Sequence, residues 1–344
     1  MHAHAPAAPA PASARIGLLI EIAFLCLIAT TPFWISSPER WKALGLVFGA
    51  IVLEALPFML LGAMLGGVIE AFVSRERMAA LMPRNPVATT CVAAAMGAIF
   101  PVCECAVVPV VRRLARKGLP APAAVAYLLG GPIVNPIVAA STALAYTEWR
   151  MPALRLGLGY LLAVGIGLTV ARLFRNDLFC ASTVAAPDEH ACSCGCGHDH
   201  EHRAGFVARL ASAARHATGD FLSTGHYLVM GAFLAACAQV FVARADFLAL
   251  AATPGAAEGG MMALAVLLNL CSEADAFVGA SFRGLCPISA QLAFLLTGPM
   301  LDCKLLLMYQ GLFRRRVIIA LAGLILGSVF ITALLCGLAM EGAA

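Results

Sequence analysis

Residues 101–111 read PVCECAVVPVV: two thiols flank a carboxylate inside an apolar run bracketed by Pro101 and Pro109. Whether this stretch is a regular helix decides the fold. On a helix, residues two apart point roughly 200° away from each other; on an extended backbone they share a face. Cys103 and Cys105 can grip one ion only where the helix is open. Proline removes a backbone donor and disfavours helix in the residue before it, so the bracketing prolines predict an opened backbone here. Irregular backbone and a carboxylate at membrane depth are tolerated only beside protein or a wet cavity, which makes Glu104 the mark of a pathway.

The surrounding chain demands a membrane. Of 344 residues, 61% are hydrophobic and 12% charged, with mean hydropathy +0.89; soluble domains carry roughly 45–50% and about 25%. Apolar runs at 16–34, 43–73, 87–111, 121–146, 153–174, 219–243, 260–282, 287–311 and 316–340 recur from end to end. Most approach the roughly 20 residues that cross a bilayer. The expected fold is all-α and polytopic. Residues 1–15 are Ala/Pro-rich and read as a disordered tail. The run Ile16 to Trp34 is long for a signal peptide and has only Arg15 ahead of it, so 16–42 reads as a retained first span and its connection. A first repeat is expected over 43–175, a polar loop over 176–216 and a second repeat over 217–344. A net charge of +4 points to no nucleic-acid role. Thirteen cysteines, an odd number spread through apolar segments and one loop, read as reduced thiols rather than a disulfide framework.

The repeat rests on an ungapped match. FMLLGAMLGGVIEAFVSR (58–75) lies over YLVMGAFLAACAQVFVAR (227–244), with Gly62/Gly231, Ala63/Ala232, Leu65/Leu234, Phe72/Phe241, Val73/Val242 and Arg75/Arg244 identical. The same register sets Glu104 opposite Glu273. Farther on, LLGGPIVNP (128–136) matches LLTGPMLDC (295–303) and sets Asn135 opposite Asp302. If 87–111 and 260–282 dip in and return, sixteen Lys and Arg fall on the cytoplasmic side and six outside. If every run spans once the bias nearly vanishes, because Arg314, Arg315 and Arg316 land outside. The dipping scheme also makes the two halves inverted, a common transporter plan.

Thiolates suit soft ions such as Cu(I) and borderline Zn(II), and also bind trivalent arsenic; carboxylates suit harder ions or protons. Loading a thiol releases a proton, which Glu104 can accept. The second half offers NLCSEADAF (269–277), with Asn269, Cys271, Glu273 and Asp275, then GPMLDCK (298–304), with Asp302, Cys303 and Lys304. Lys304 reads either as a site residue or as an internal partner for Asp302 or Glu273. Asn135 reads as a ligand or as a satisfier of backbone groups freed around Pro132 and Pro136. Glu54 and Glu70 read as a polar seam, and the methionines at helical spacing as packing.

The insert carries HACSCGCGHDHEH (190–202), where Cys192, Cys194 and Cys196 alternate with small residues and His190, His198, His200 and His202 with polar ones. Such tracts read as metal binding. Lacking paired CxxC spacing, this one is expected to be a flexible cytosolic capture or sensing loop.

PVCECAVVPVVRRLARKGLPAPAAVAYLLGGPIVNP (101–136), with GPMLD in the second half, resembles the bacterial predicted-permease family that includes organoarsenical efflux permeases. The CEC form with a His/Cys-rich central loop is similar to its copper/zinc efflux branch. The resemblance covers about 45–340. It implies an inner-membrane exporter with Cys103, Glu104, Cys105, Pro132 and Asn135 at the transport site. The expectation is a secondary-active permease exporting Cu(I) or Zn(II), with trivalent organoarsenicals as the alternative cargo. It would have no cofactor beyond that cargo, a cytosolic metal donor as partner, and no enzymatic step. No P-loop signature appears, which argues against ATP hydrolysis. Rival readings are a membrane thiol oxidoreductase using Cys103 and Cys105 with Cys271 or Cys303, disfavoured by the strain of a CxC disulfide, and a metal sensor without flux.

Overall fold

The computed structural model describes residues 12–34, 37–72, 74, 78, 82–83, 85–174, 178–180, 206–241 and 255–341. The chain divides into a small unit ending at Val47 and a large one, Phe48–Ala344. The small unit is led by α1 (Ala12–Trp34), whose Thr30 and Thr31 hydroxyls donate back to the Cys26 and Leu27 carbonyls at 2.9 and 2.8 Å. Its start lies four residues ahead of the expected apolar run, inside the segment read as a tail.

The remaining described helices are α2 (Pro38–Phe72), α3 (Pro86–Ala95, prolonged by a 3-10 turn at Met96–Ala98), α4 (Glu104–Arg116), α5 (Ala121–Gly130), α6 (Pro136–Tyr146) and α7 (Arg150–Leu173). Then follow α8 (Phe206–Phe241), α9 (Ala256–Leu268), α10 (Ala274–Ala280), α11 (Ile288–Met300), α12 (Cys303–Tyr309) and α13 (Arg315–Glu341). Among the described residues there is no strand, only isolated bridges at Phe179/Phe313 and Arg283/Cys286. Among the described residues, five stretches are long and apolar enough to cross a membrane: 38–70, 150–173, 210–241, 288–309 and 315–339. Outward-facing leucines and isoleucines, such as Leu53, Leu144 and Ile319, are about three-quarters exposed. Such faces are stable against lipid, not water. The chain is an all-α multi-pass membrane protein.

From α2 to α7 and again from α8 to α13, a long helix is followed by two interrupted ones and a second long helix. Two interruptions were expected. The run 87–111 opens between Ile99 and Cys103, and 260–282 opens at Asn269–Glu273, where Asn269 takes a left-handed φ of 52°. Two more break runs expected to be continuous. Gly131, Pro132 and Pro136 split 121–146 into α5 and α6, and Leu301 turns extended to split 287–311 into α11 and α12. The breaks survive because side chains cap the new helix starts. Asn135 Oδ1 accepts from Ile137 N at 2.9 Å, and Asp302 Oδ1 accepts from Leu305 N.

Pro109 departs from expectation. It sits inside α4, where its missing N–H deprives the Cys105 carbonyl of its helical donor without ending the helix. The insert is also shorter than read: α8 begins at Phe206, well before 217.

Packing is by close backbone approach, as membrane helices require. A Cβ on Gly62 of α2 would stand 2.6 Å from the Ala106 carbonyl oxygen at the start of α4. One on Gly231 of α8 would stand 2.5 Å from Lys304 Cα at the start of α12. These glycines occupy matched positions of the two similar stretches, and each seats a helix that begins after a break. α11 is buried from Ser289 to Met300 and forms the centre of the large unit.

Candidate functional site

The break before α4 builds one wall of a cleft. Cys103 is the N-cap, extended at φ −79° and ψ 170°, and α4 resumes at Glu104. The CEC stretch is therefore not extended throughout, as the spacing argument required; only Cys103 is. Both cysteines nevertheless line the same cleft. An N-cap side chain folds over the second and third helical residues, and Cys105 is the second. Glu104 stands in the first turn of α4, where the partial positive charge of a helix start favours a carboxylate.

The opposite wall comes from the second half. Lys304, in the first turn of α12, places Nζ 3.3 Å from Glu104 Oε1 and 3.6 Å from Asp302 Oδ2. With its amide turned to donate, Asn269 Nδ2 stands 2.8 and 3.0 Å from the two Asp302 oxygens. Lys304 thus partners Asp302, one of the two acids expected, and Glu104 rather than Glu273. All three charges are buried. Such a cluster is tolerable only because the charges compensate. Glu104 Oε2 has no hydrogen-bond partner among the described residues and remains available to something else.

The cleft is lined by Cys103, Glu104, Cys105, Cys271, Asn269 and Lys304, with Glu54 and apolar groups of α2 at its edge. Of the residues singled out in the sequence, Cys103, Glu104, Cys105 and Cys271 share this lining. Asp302 lies behind it through Lys304 and Asn269. The Cys271 sulfur accepts from Ala274 N at 3.4 Å, and Glu273 is not part of the cleft lining. Cys303 is half-buried and does not line the cleft. Asn135 is buried as the α6 cap, the second of its two readings. The tract 190–202, and with it His190, Cys192, Cys194, Cys196, His198, His200 and His202, lies outside the described residues. Among the described residues, no group of three or more His, Cys, Asp or Glu is gathered for a metal.

Asp275 faces away from the cleft, toward Arg155 of α7, whose Nη2 is 3.8 Å from Asp275 Oδ2. Arg155, one of the six basic residues that the dipping scheme sets outside, is fully buried. Its signal was available: a guanidinium five residues into α7, where the run has already turned apolar, needs a partner.

At one end of the bundle Arg113 pairs with Asp220 and, at 3.4 Å, with Glu70, while Lys117 meets Glu70 at 2.9 Å. Glu70 is thus the polar seam expected, and its counterpart Gln239 donates at 2.7 Å to the Leu268 carbonyl that ends α9. The stretch Leu178–Cys180 docks on the turn before α13: Cys180 N donates to Leu312 O at 3.0 Å and Phe179 stacks on Phe313 at 5.7 Å. Arg314 N donates to the Leu178 carbonyl at 3.3 Å, which ties this stretch to the start of α13.

Comparison with known proteins agrees with this architecture. A family model described as "Predicted permease" matches residues 40–338. UPF0718 protein YcgR of Bacillus subtilis (strain 168) is 38% identical over 301 residues, covering 85% of this chain and 99% of its own. A Streptococcus mutans serotype c protein, named as a subunit of a two-component membrane permease complex, is 34% identical over 278 residues, 80% of this chain and 89% of its own. No solved structure matches.

Proposed function

The chain belongs to the predicted-permease family, and within that membrane-permease class we propose that it exports a thiophilic cargo, Cu(I) foremost, from the cytoplasm across the bacterial inner membrane. The observation that carries this reading is the placement of Cys103 and Cys105 at an opened helix start, both lining a cleft that Cys271 also lines. Soft sulfur ligands select soft ions. Two sulfurs suffice for Cu(I), whereas Zn(II) takes about four ligands, and no such set is gathered here among the described residues. Zn(II) is therefore the weaker of the two metals first expected.

Lys304 acts as a tethered cation that neutralises Glu104 and Asp302 while no cargo is present. An entering cation takes over that neutralisation, and the returning ammonium helps to expel it. The tract 190–202 would collect ions on the same side as Arg112 and Arg314. The two halves, built as inverted repeats, would alternate about the cleft, and Glu104, Glu273 or Asp302 would exchange the protons that thiol loading releases. The name of the Streptococcus mutans relative makes a second membrane component a further partner to seek.

Flux into everted vesicles, measured for Cu(I), Zn(II), Cd(II) and methylarsenite with and without a pH gradient, tests the reading. Cu(I) transport should be lost in Cys103→Ser/Cys105→Ser; equal flux in the double variant removes the site. One alternative is favoured by the same two-sulfur geometry: a trivalent organoarsenical, which binds two thiols and has no use for histidines. Deleting 190–202 should impair metal export and leave arsenical export intact.

A further inference from the structure

Four of the buried polar atoms that find no hydrogen-bond partner among the described residues fall in one place: Arg155 Nε, Asp275 Oδ2, Ser272 Oγ and Tyr146 Oη. They come from α7, α10, the 269–273 break and α6, and each of the four residues is at most 1% exposed. The rest of Arg155 is firmly held, Nη1 by Thr142 Oγ1 at 3.0 Å and Nη2 by the Ser272 carbonyl at 2.9 Å. Its distance to Asp275, 3.8 Å, is too long for a hydrogen bond. Tyr146 reaches the same helix as Asp275: a Cβ on Gly279, one turn beyond Asp275 in α10, would stand 3.0 Å from Tyr146 Oη. Gly298 of α11 closes the wall against Asp275, where a Cβ would collide with the carboxylate.

An isolated unsatisfied buried group is costly, and native interiors hold few of them. Four on residues that neighbour one another around Arg155 and Asp275, two of them charged, describe a site built around something small and polar. We infer that Arg155, Asp275, Ser272 and Tyr146 enclose bound water, forming a hydrated station that continues the permeation route beyond the thiol cleft. Water is the ligand that fits: it donates and accepts, and buried water typically serves two to four such groups. The station adjoins the cleft across a single peptide unit, since Cys271 lines the cleft while Ser272 turns its carbonyl to Arg155. Its role in transport rests on the permease reading; its hydration does not.

Hydroxyl-radical footprinting of the full chain in lipid nanodiscs, read by peptide mass spectrometry, tests this without any cargo. Radicals formed from buried water label the nearest aromatic ring. Tyr127, Tyr146 and Tyr309 are each 1% exposed, so bulk access treats them alike. Tyr309 donates to the Met300 carbonyl at 2.9 Å and serves as the dry control. Tyr146 should be labelled at least about fivefold faster than the other two. The double variant Arg155→Leu/Asp275→Leu should bring it down to their level. Equal protection of all three tyrosines in the native chain overturns the station and leaves the thiol cleft standing. Unchanged Cu(I) flux in the cysteine double variant removes the cleft and leaves the station untouched.

Discussion

Asn135 and Asp302 hold matched positions in LLGGPIVNP and LLTGPMLDC, and both accept a backbone N–H just past a break, Asn135 from Ile137 at 2.9 Å and Asp302 from Leu305. There the likeness stops. Asp302 also faces Lys304 at 3.6 Å and receives the Asn269 amide, so its second oxygen belongs to the polar floor of the cleft. Asn135 has Ile137 and Pro136 as neighbours in sequence, and its recorded bond is the cap alone. Pattern matching along the chain therefore found a shared backbone duty. Chemistry was added on one side only, by what the second half brings against the carboxylate.

The comparison breaks most visibly if the charge added at Asp302 is left uncompensated. Lys304→Met strands Glu104 and Asp302 together in a buried site and should cost about 3–5 kcal/mol, the scale for removing one member of a buried ionic cluster. Thermal melting in detergent reads this, and Lys304→Arg should recover most of the loss. A Met variant as stable as the native chain would mean that the two carboxylates do not depend on the ammonium.

The next largest effect concerns the seats of the two helix starts. Gly62→Ala and Gly231→Ala each push a methyl into backbone at 2.6 and 2.5 Å, and each should destabilise by about 1–3 kcal/mol. Similar losses in both support equivalent roles for the two stretches. A loss confined to Gly231 would sharpen the asymmetry already visible between Asp302 and Asn135.

What could be read from the residues follows the same division. Membrane character, the opened backbone at Cys103, the matched glycines and the polar seam at Glu70 all depend on local pattern or on repeats, and pattern is written along one chain. The break at Leu301–Asp302 was missed because the apolar run stays continuous through it; the one at Gly131–Asn135 was signalled by Pro132 and Pro136, though mean hydropathy does not register it. Arg155 was misplaced because its partners, Asp275 and the Ser272 carbonyl, lie 117 to 120 residues away. Lys304 was seen as an ion-pair candidate, but its pairing with Glu104 across 200 residues is a product of packing.

Asp302→Asn separates the two duties of that residue. Asparagine caps a helix about as well as aspartate, so stability should fall by no more than about 1 kcal/mol. The charge facing Lys304 is gone, however, and metal flux should drop at least about tenfold, equivalent to roughly 1.4 kcal/mol in the rate-limiting step. Native flux from this variant would reduce Asp302 to a cap.

Asn135→Ala is the smallest change and the one that bears hardest on the distinction. Loss of an N-cap side chain costs about 1 kcal/mol. α6 is held on other faces by α7 and α10, so melting should fall by only a few degrees. Flux per folded molecule should stay within about twofold of native, because the Asn135 side chain caps α6 and is not part of the cleft lining. Asn135→Asp restores the cap with a carboxylate and should behave like the native chain in melting. If Asn135→Ala instead melts normally and transports nothing, Asn135 contacts cargo in some step of the cycle. The matched positions would then be chemically as well as structurally equivalent, and the cleft between α4 and α12 would be only one of two places where cargo is held.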